Sequence, residues 1–360
     1  MSGFTETLVL PRVLCTAIGS VPHSDADQAV DLILSTLSVA AHAPSLSRAD
    51  LREQMWIQFT ENLPRFRTDL ANLKYHFDTS GDPTSEIEAF YSQFLAVEEG
   101  GDAAYFAVGP EYGRGIHTLL GRLEREKVRR PFLKVQVTGP LSFGLTVTDE
   151  QGKPIFYHPM FRDVAVKGMG LKAVRLLEVF SPFAEKVIVF FDEPSLSAYG
   201  SSAMLGLSKS DVVEVLDEVM NMVLERGGIP GVHCCGNTDW GLLMETGTRI
   251  INFDGVDYME SLAIYARELS RFLERGGVLA WGVVRNTERV MEDSALDVAA
   301  RLRSGLDLLE KNGVNRAALA QRLILTPACG CAGLKVNETE KVYALLAELE
   351  SMPPEDLLGP

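Results

Sequence analysis

Short apolar runs rich in β-branched residues recur along the whole chain, and stretches with apolar positions at helical spacing separate them. This alternation is typical of repeated βα units that build a parallel sheet. The pattern predicts eight strands, in residues 13–20, 55–61, 132–140, 187–194, 229–237, 249–254, 278–284 and 323–330.

The stretches between these runs predict helices and loops. The fourth predicted helix has Ser208 or Ser210 as its N-cap and ends at a glycine pair. Residues 61–131 are too many for one βα unit, so we expect additional helices there over one end of the barrel. Residues 146–159 predict a hairpin or lid loop with its turn at Gln151 and Gly152. The predicted helices cover residues 25–37, 85–98, 163–180, 209–225, 260–275, 295–311 and 338–350.

Eight strands with intervening helices are what a closed barrel requires. We therefore predict an α/β fold, a single TIM (β/α)8 barrel with helical and hairpin insertions. A length of 360 residues fits either one large barrel or two ordinary domains. Because no internal repeat or low-complexity linker divides the sequence, we expect one catalytic barrel domain over residues 1–360.

Charge and hydropathy argue against several classes of function. A net charge of −15 repels phosphate backbones, which disfavours nucleic-acid binding. No apolar run approaches the roughly 18 residues that a membrane span needs, so no membrane role is expected. The N-terminus lacks a basic segment followed by an apolar one, so we expect no secretory signal and a cytoplasmic location.

The chain has five cysteines, and four of them form two tight groups, Cys234 with Cys235 and Cys329 with Cys331. An odd number in close groups is typical of a reduced compartment and of a metal or catalytic site, rather than of a disulfide framework. The cysteine pattern therefore favours metal binding or thiol chemistry.

Several predicted strands finish on residues that can do chemistry. Barrel enzymes build their sites at the carboxyl ends of strands, where the loops of different βα units converge. Residues that are distant in the sequence are therefore expected to meet there. The candidates are Ile18, Gly19, Ser20, Glu61, Asp192, Glu193, His233, Cys235, Asp254 and Cys329.

A metal site is the most specific of these predictions. His233 and Cys235 point to the same side of an extended strand, because side chains alternate with a period of two, and Cys234 then faces away. Zinc prefers nitrogen and sulfur ligands, and a catalytic zinc site keeps one position for an exchangeable ligand. Cys329 supplies a third donor if the barrel closes, and Asp254 is a weaker candidate for an oxygen donor.

Alternatives stay open for these residues. Cys331 is an alternative to Cys329 as the third metal ligand. The vicinal Cys234 and Cys235 are, alternatively, a redox pair. Asp192, followed by a second acid and a proline, either caps the helix that follows or binds a substrate ammonium. Residues 18–20 are either a turn that needs its glycine or a set of backbone N–H and hydroxyl donors for a carboxylate.

The motifs TAIGSVPH, FFDEP, HCCGN and TPACG, in this order and on these strands, resemble the catalytic barrel of the cobalamin-independent methionine synthase family. That family lies within the superfamily that includes uroporphyrinogen decarboxylase. The resemblance covers nearly the whole chain, residues 16 to about 335. It implies zinc as the cofactor, with ligands at His233, Cys235 and Cys329. The family's fourth ligand is a glutamate, and the nearest acid here is Asp254.

The resemblance also implies substrate contacts. Asp192 of the FFDEP motif corresponds to the residue that binds the amino group of homocysteine, and Ile18 to Ser20 correspond to the segment that holds its carboxylate. Glu61 matches, on a looser alignment, an acid that also contacts the amino group. A family histidine with a role in proton transfer has no counterpart, because residues 282–287 read GVVRNT.

The implied activity is the transfer of a methyl group to the thiol of homocysteine, which forms methionine and belongs to methionine biosynthesis. The chain resembles the short core form of the family, for which a methylated corrinoid protein, rather than methyl-folate, is the expected donor. One alternative is a superfamily methyltransferase for another thiol, such as coenzyme M. Two others are a metal-free decarboxylase with Arg12 and Arg114 as carboxylate ligands and a binding protein with a closed zinc site.

Overall fold

The computed structural model describes residues 8, 10, 13–72, 74–201, 204 and 206–359. Arg12, one of the two arginines considered for a decarboxylase, lies outside them. The described strands are β1 (Leu14–Cys15), β2 (Ala40–His42), β3 (Phe66–Asp69), β4 (Lys74–Phe77), β5 (Arg130–Thr138), β6 (Ala184–Asp192), β7 (Ile229–Cys234), β8 (Ile250–Asp254), β9 (Val278–Val284) and β10 (Leu323–Pro327).

Helices connect the strands and cover the outside of the barrel. Among the described residues, no helix is long and apolar enough to cross a membrane. The described helices are α1 (Ala26–Thr36), α2 (Thr84–Glu98), α3 (Arg114–Glu126), α4 (Pro140–Thr146), α5 (Pro159–Phe180), α6 (Lys209–Leu224), α7 (Trp240–Glu245), α8 (Met259–Ala263), α9 (Ala266–Glu274), α10 (Ala295–Lys311), α11 (Arg316–Ala320), α12 (Val336–Ser351) and α13 (Pro354–Leu358).

Eight strands form one sheet in which every neighbouring pair is parallel, in the order β1-β10-β9-β8-β7-β6-β5-β2. The two end strands approach each other through a bridge between Ser20 and Ser45, where Ser45 N donates to Gly19 O at 2.9 Å. Thr16 Oγ1 also donates to Ala40 O at 2.8 Å. The sheet is therefore a nearly closed barrel, and the predicted TIM-barrel fold is confirmed.

Apolar side chains are buried on both faces of this sheet, as expected for parallel strands covered by helices. Along β6, Ile188 and Phe190 point into the barrel, and Val187, Val189 and Phe191 pack toward the helices. Burial of the inner layer holds the carboxyl ends of the strands in place above it. This inner layer consists of Leu14, Ile18, Ala40, Phe132, Ile188, Phe190, Ile229, Ile250, Val278, Ala280 and Ile324.

The predicted second strand, residues 55–61, is wrong. The strand at this place in the barrel is β2, and residues 55–61 form turns in the segment that follows it. β2 has only three residues, Ala-Ala-His, so it lacks the β-branched run by which the other strands are recognised. Residues 55–61 resemble a strand because Ile57 and Phe59 are buried, although turn hydrogen bonds such as Ile57 N to Gln54 O (2.9 Å) hold the segment.

The helix predictions are largely confirmed. α1, α2, α6, α10 and α12 begin and end within two residues of their predicted limits. Ser208, rather than Ser210, caps α6, and Asp211 completes a capping box. The helix predicted in residues 260–275 is instead two helices, α8 and α9, with a turn between them.

The predicted insertions are also present. Residues 61–131 contain the helices α2 and α3, together with an antiparallel hairpin of β3 and β4. The predicted turn at residues 151 and 152 joins Thr148 and Pro154 in an antiparallel bridge. Gly152 has a φ of 82°, a conformation that glycine adopts at little cost.

Candidate metal centre and substrate cavity

A cavity of about 420 Å³ lies at the carboxyl ends of the strands. The segment after β2 forms one of its walls. The structure thus brings together candidates that the sequence places at four different strand ends. The cavity is lined by Ile18, Ser20, Gln136, Thr138, Asp192, His233, Cys235 and Cys329 from the strand ends, and by Ser45, Arg48, Gln54, Met55, Trp56 and Phe59, among others, from the wall.

Three side chains of types that commonly bind metals meet in this cavity. One ligand atom from each of His233, Cys235 and Cys329 lies within 4.8 Å of the other two. Cys329 Sγ is 3.6 Å from His233 Nε2. His233 is a buried residue of β7 and Cys235 follows two positions later, so their side chains share a side as the period of two predicts. Cys329 reaches them from the end of β10.

The remaining cysteines of the two groups lie outside this cluster. Cys234 is fully buried, its thiol donates to Gly236 O at 3.5 Å, and burial raises its pKa to about 12. Burial also raises the pKa of Cys331 to about 12. Both thiols are therefore protonated and unreactive at neutral pH. Cys234 faces away from the donors as expected, and Cys329 rather than Cys331 completes the group of three.

The two clustered thiols differ in acidity. A hydrogen bond from the Cys329 thiol, together with the nearby His233 side chain, lowers the pKa of Cys235 below its ordinary value. The hydrogen bond to Cys235, together with burial, raises the pKa of Cys329 above its ordinary value. One proton is thus shared between two sulfur atoms. The lowered pKa of Cys235 favours its thiolate, which is the form that binds a metal ion.

Asn252, which sequence analysis missed, sets the orientation of His233. Its Nδ2 group donates to Ala280 O and to Thr326 Oγ1, both at 2.9 Å, so its Oδ1 atom must face the imidazole. His233 Nδ1 lies 2.5 Å from this oxygen and carries the proton. The Nε2 lone pair is then free for a metal. A polar residue inside the apolar run IINF was the available signal in the sequence.

Asp192 ends β6 and is the register partner of His233 in β7. Its Oδ1 atom is buried and accepts no hydrogen bond from any residue that the structure describes. Burial raises the pKa of Asp192, and the nearby His233 and Lys134 side chains oppose the rise. A buried carboxylate oxygen without a donor is costly. This oxygen is therefore available to an ammonium or N–H group of a ligand.

Glu193, the next residue, has a structural role. Its carboxylate accepts hydrogen bonds from Leu141 N at 3.0 Å and Ser142 N at 2.7 Å, so it caps the start of α4. Burial raises the pKa of Glu193 to about 7. Glu193 does not cap the helix that follows the acidic pair, as the first interpretation expected; it caps α4, which precedes it in the chain, and Asp192 faces the cavity.

The segment from Ile18 to Ser20 combines a required glycine with two cavity-lining residues. Gly19 N–H donates to Gln136 Oε1 at 2.7 Å, and a Cβ atom on Gly19 would lie 2.3 Å from Gln136 Nε2. Only glycine permits this approach. A Cβ atom on Gly330 would likewise lie 2.1 Å from Ser20 Oγ. Because the Gly19 N–H is engaged, it is not free to hold a carboxylate, and Ser20 is the polar residue of the segment that lines the cavity.

Asp254 and Glu61 are not among the residues that line the cavity. Asp254 Oδ1 accepts hydrogen bonds from Val256 N at 2.8 Å and Asp257 N at 3.1 Å, and Asp254 is absent from the three-donor group. Glu61 accepts a hydrogen bond from Gly109 N, and no strand directs it inward. Their roles as fourth ligand and amino-group contact stay predictions.

The arginine that lines the cavity differs from the two that sequence analysis suggested as carboxylate ligands. Arg114 pairs with the buried carboxylate of Glu53 at 2.9 Å and does not line the cavity. Arg48 does line it, although its Nη1 group donates to Leu334 O at 3.0 Å. The candidate carboxylate ligand of the decarboxylase alternative is therefore occupied elsewhere.

Sequence analysis did not recognise the cavity wall formed by the segment after β2, because it predicted a strand there. Ser45 Oγ donates to Glu53 O at 2.8 Å, and Thr138 Oγ1 donates to Met55 O at 2.5 Å, so the wall is tied to itself and to β5. Trp56 and Phe59 give this side of the cavity an apolar surface. The cavity thus combines sulfur and nitrogen donors, one unpaired carboxylate oxygen and an aromatic wall.

The sequence matches no protein-family model, and no curated protein matches it. Solved structures do share its fold. A B12-independent methionine synthase from Shewanella sp. W3-18-1, in complex with selenomethionine, aligns with a TM-score of 0.52 and 15% identity over 95% of this chain and 98% of that one. A methyltransferase from Methanosarcina mazei aligns with a TM-score of 0.51 and 11% identity over 95% of each chain. At these identities the likeness shows a common barrel fold.

Proposed function

We propose that this protein is a zinc-dependent methyltransferase that transfers a methyl group to the thiol of homocysteine and so forms methionine. The observation that carries the proposal is the meeting of His233, Cys235 and Cys329 in a cavity that also contains the unpaired carboxylate oxygen of Asp192. The first three residues suit a metal, and the fourth suits the amino group of an amino-acid substrate.

The donor set fits zinc. Two ligand atoms bonded to one zinc ion at a tetrahedral angle lie roughly 3.5 Å apart, and Cys329 Sγ and His233 Nε2 are 3.6 Å apart. Asn252 leaves the Nε2 lone pair of His233 free. Three protein donors are also the number that catalytic zinc sites use, since one position is kept for the substrate.

The residues of the chain have distinct roles in this reaction. Zinc, when bound, would hold the substrate sulfur as a thiolate at neutral pH. Asp192 binds the substrate ammonium and thereby orients the sulfur toward the three donors. Asn252 keeps His233 in the required tautomer. Trp56 and Phe59 shield the reacting sulfur from water, which would otherwise solvate and weaken the nucleophile.

Two similar structures support methyl transfer. One is a B12-independent methionine synthase in complex with selenomethionine, and the other is a methyltransferase. We propose a methylated corrinoid protein as the methyl donor, because residues 282–287 contain no histidine at the place where the resemblance to the folate-using enzymes expects one. Methyl-folate is the alternative donor.

A second candidate is a methyltransferase of the same superfamily that acts on coenzyme M. The carboxylate of Asp192 argues against it, because coenzyme M carries a sulfonate and no ammonium, so like charges would repel. Competition between the two thiols distinguishes the candidates. Homocysteine should be methylated in the presence of equal coenzyme M, and the reverse preference would assign the second function.

The decisive test measures zinc content and methyl transfer for the wild type, Cys235→Ser and Cys234→Ser, with methylcobalamin and methyl-folate offered in parallel. Cys235→Ser should lose zinc and activity. Cys234→Ser is the matched control: its side chain faces away, and a serine hydroxyl can still donate to Gly236 O. Full activity without zinc, or equal losses in both variants, would overturn the proposal.

A further inference from the structure

Gln136, near the carboxyl end of β5, presents its side-chain amide to the cavity. In residues 132–140, every position except Gln136 is buried, and Gln136 is half-buried. It lies on β5 two positions before Thr138, and both residues line the cavity. Its exposure therefore results from the open space of the cavity.

Two donors fix which end of this amide faces the cavity. Gly19 N–H and Lys134 Nζ both donate to Gln136 Oε1, each at 2.7 Å. A backbone N–H and an ammonium group can only donate, so the atom between them must be the oxygen. No residue that the structure describes accepts a hydrogen bond from Nε2. Both N–H groups of Nε2 are thus available to a ligand.

The buried Lys134 precedes Gln136 by two positions on β5 and therefore lies on the same face of the sheet. Its side chain is 1% exposed, and its Nζ atom lies 4.5 Å from the centre of the Phe190 ring. Burial lowers the pKa of Lys134 to about 8, and the nearby Asp192 opposes the fall, so the ammonium form prevails at neutral pH. An ammonium bonded to the oxygen of an amide withdraws electron density and strengthens its N–H donors.

The cavity therefore contains an unpaired donor and an unpaired acceptor on the same face of the sheet. Thr138 is the register partner of Asp192 in the neighbouring strand, and Gln136 precedes Thr138 by two positions. The acceptor, Asp192 Oδ1, suits an ammonium group. The donor, Gln136 Nε2, suits an anionic oxygen. In an amino-acid thiol, the anionic oxygen next to the ammonium belongs to the carboxylate.

We propose that Gln136 Nε2 binds the carboxylate of the acceptor thiol and selects an amino-acid thiol over an amine thiol without a carboxylate. Lys134 acts through Gln136 as a positioning residue. The inference rests on the proposed function and deepens it, because it names a residue that determines which thiols are accepted. Gly19, in turn, must be glycine because the amide lies against it.

The test measures binding by calorimetry on the zinc-loaded protein, with homocysteine and with aminopropanethiol, which has the same ammonium and thiol but no carboxylate. A charge-assisted hydrogen bond predicts that the wild type binds homocysteine roughly 10- to 100-fold more tightly. Gln136→Glu keeps an oxygen for Gly19 and Lys134 but replaces the N–H donors with a carboxylate oxygen. It should abolish the preference, leave the affinity for aminopropanethiol undiminished, and melt no lower than the wild type.

Gln54→Glu is the matched control, because Gln54 lines the same cavity and the same charge is introduced. It should weaken homocysteine binding by less than about threefold, as expected for a solvated charge. Equal losses in both variants would overturn the inference, since general repulsion would explain them. Equal affinity of the wild type for both thiols would also overturn it, whatever the variants do. Failure of the wild type to bind either thiol would instead overturn the proposed function itself.

Discussion

The inner face of the barrel has an apolar region and a polar region, and the same strands contribute side chains to both. Toward the amino ends, inward side chains such as Ile188 and Ile250 are apolar and fully buried. A few positions further along the same strands, the inward side chains are Asp192 and Asn252. Because inward positions recur at every second residue, one strand supplies both regions without a change of backbone. Burial in the first region offsets the cost of unpaired polar groups in the second.

Substitutions in the apolar region and in the polar region should therefore have different kinds of effect. A change in the apolar region should lower the free energy of unfolding and leave the chemistry of each folded molecule intact. A change in the polar region should lower metal binding, thiol binding or activity and leave the fold intact. Variants that fail to separate in this way would show that the two regions are one cooperative unit.

The largest effect is expected from a pair of cysteines two residues apart. Cys329→Ser should reduce the proposed methyl transfer to background, because a proposed metal donor is lost, and change the free energy of unfolding of the metal-free protein by less than about 1 kcal/mol. Cys331→Ser should retain activity but destabilise by about 1–3 kcal/mol, because it buries a hydroxyl in an apolar place. Denaturant unfolding and a transfer assay measure both. The reverse pattern would place the site at Cys331.

Ile188→Ala should lower the free energy of unfolding without changing the chemistry of the folded protein. Removing a fully buried side chain of the inner layer should cost about 2–5 kcal/mol in the free energy of unfolding. The zinc content and the activity per folded molecule should match the wild type, since the cavity lies further along the strand. Loss of zinc from the folded variant would show that the apolar layer sets the geometry of the donors.

Glu193, which directly follows β6, should make the stability of the protein depend on pH. Its pKa is raised from 4.5 to about 7, so the folded state binds a proton that the unfolded state releases. Stability from this group is therefore present below pH 4.5 and is lost as the pH rises toward 7, by at most about 3 kcal/mol. Glu193→Gln should flatten this part of the curve of unfolding free energy against pH. An unchanged slope in the variant would contradict the assignment.

The smallest expected effect is that of Asn252, the residue behind the proposed metal donor His233. Asn252→Ala should lower zinc affinity by about 10- to 100-fold, because the His233 tautomer is no longer fixed. A zinc-competition titration measures this. Thr326→Val is the control, since Asn252 Nδ2 keeps its bond to Ala280 O. Thr326→Val should have a smaller effect, and equal effects would assign Asn252 a packing role only.

The sequence predicted the barrel well because parallel strands buried on both faces appear as continuous apolar runs. Seven of the eight predicted strands overlap a strand of the barrel. β2 was missed because three small or polar residues, Ala40 to His42, leave no such run. Because of this error, Glu61 was expected at a strand end, and the cavity wall that contains Trp56 was not recognised.

The sequence also predicted that His233, Cys235 and Cys329 come together, since strand ends converge and the period of two places the first pair on one side. It could not identify Asn252, Lys134 or Gln136. Each of these is a polar residue inside an apolar run, and its role depends on a partner in another strand. Pairing across strands follows from register, which local propensity does not determine.

By itself, then, the sequence determined which side chains each strand offers to the barrel, because alternation and apolar runs are local properties. Only the tertiary structure decided which of those side chains have partners. Asp254 is engaged by its own turn, whereas Asp192 Oδ1 and Gln136 Nε2 are without partners among the described residues. The reason is physical: hydrogen bonding of a buried polar group is settled by the atoms that closure of the barrel brings within about 3 Å.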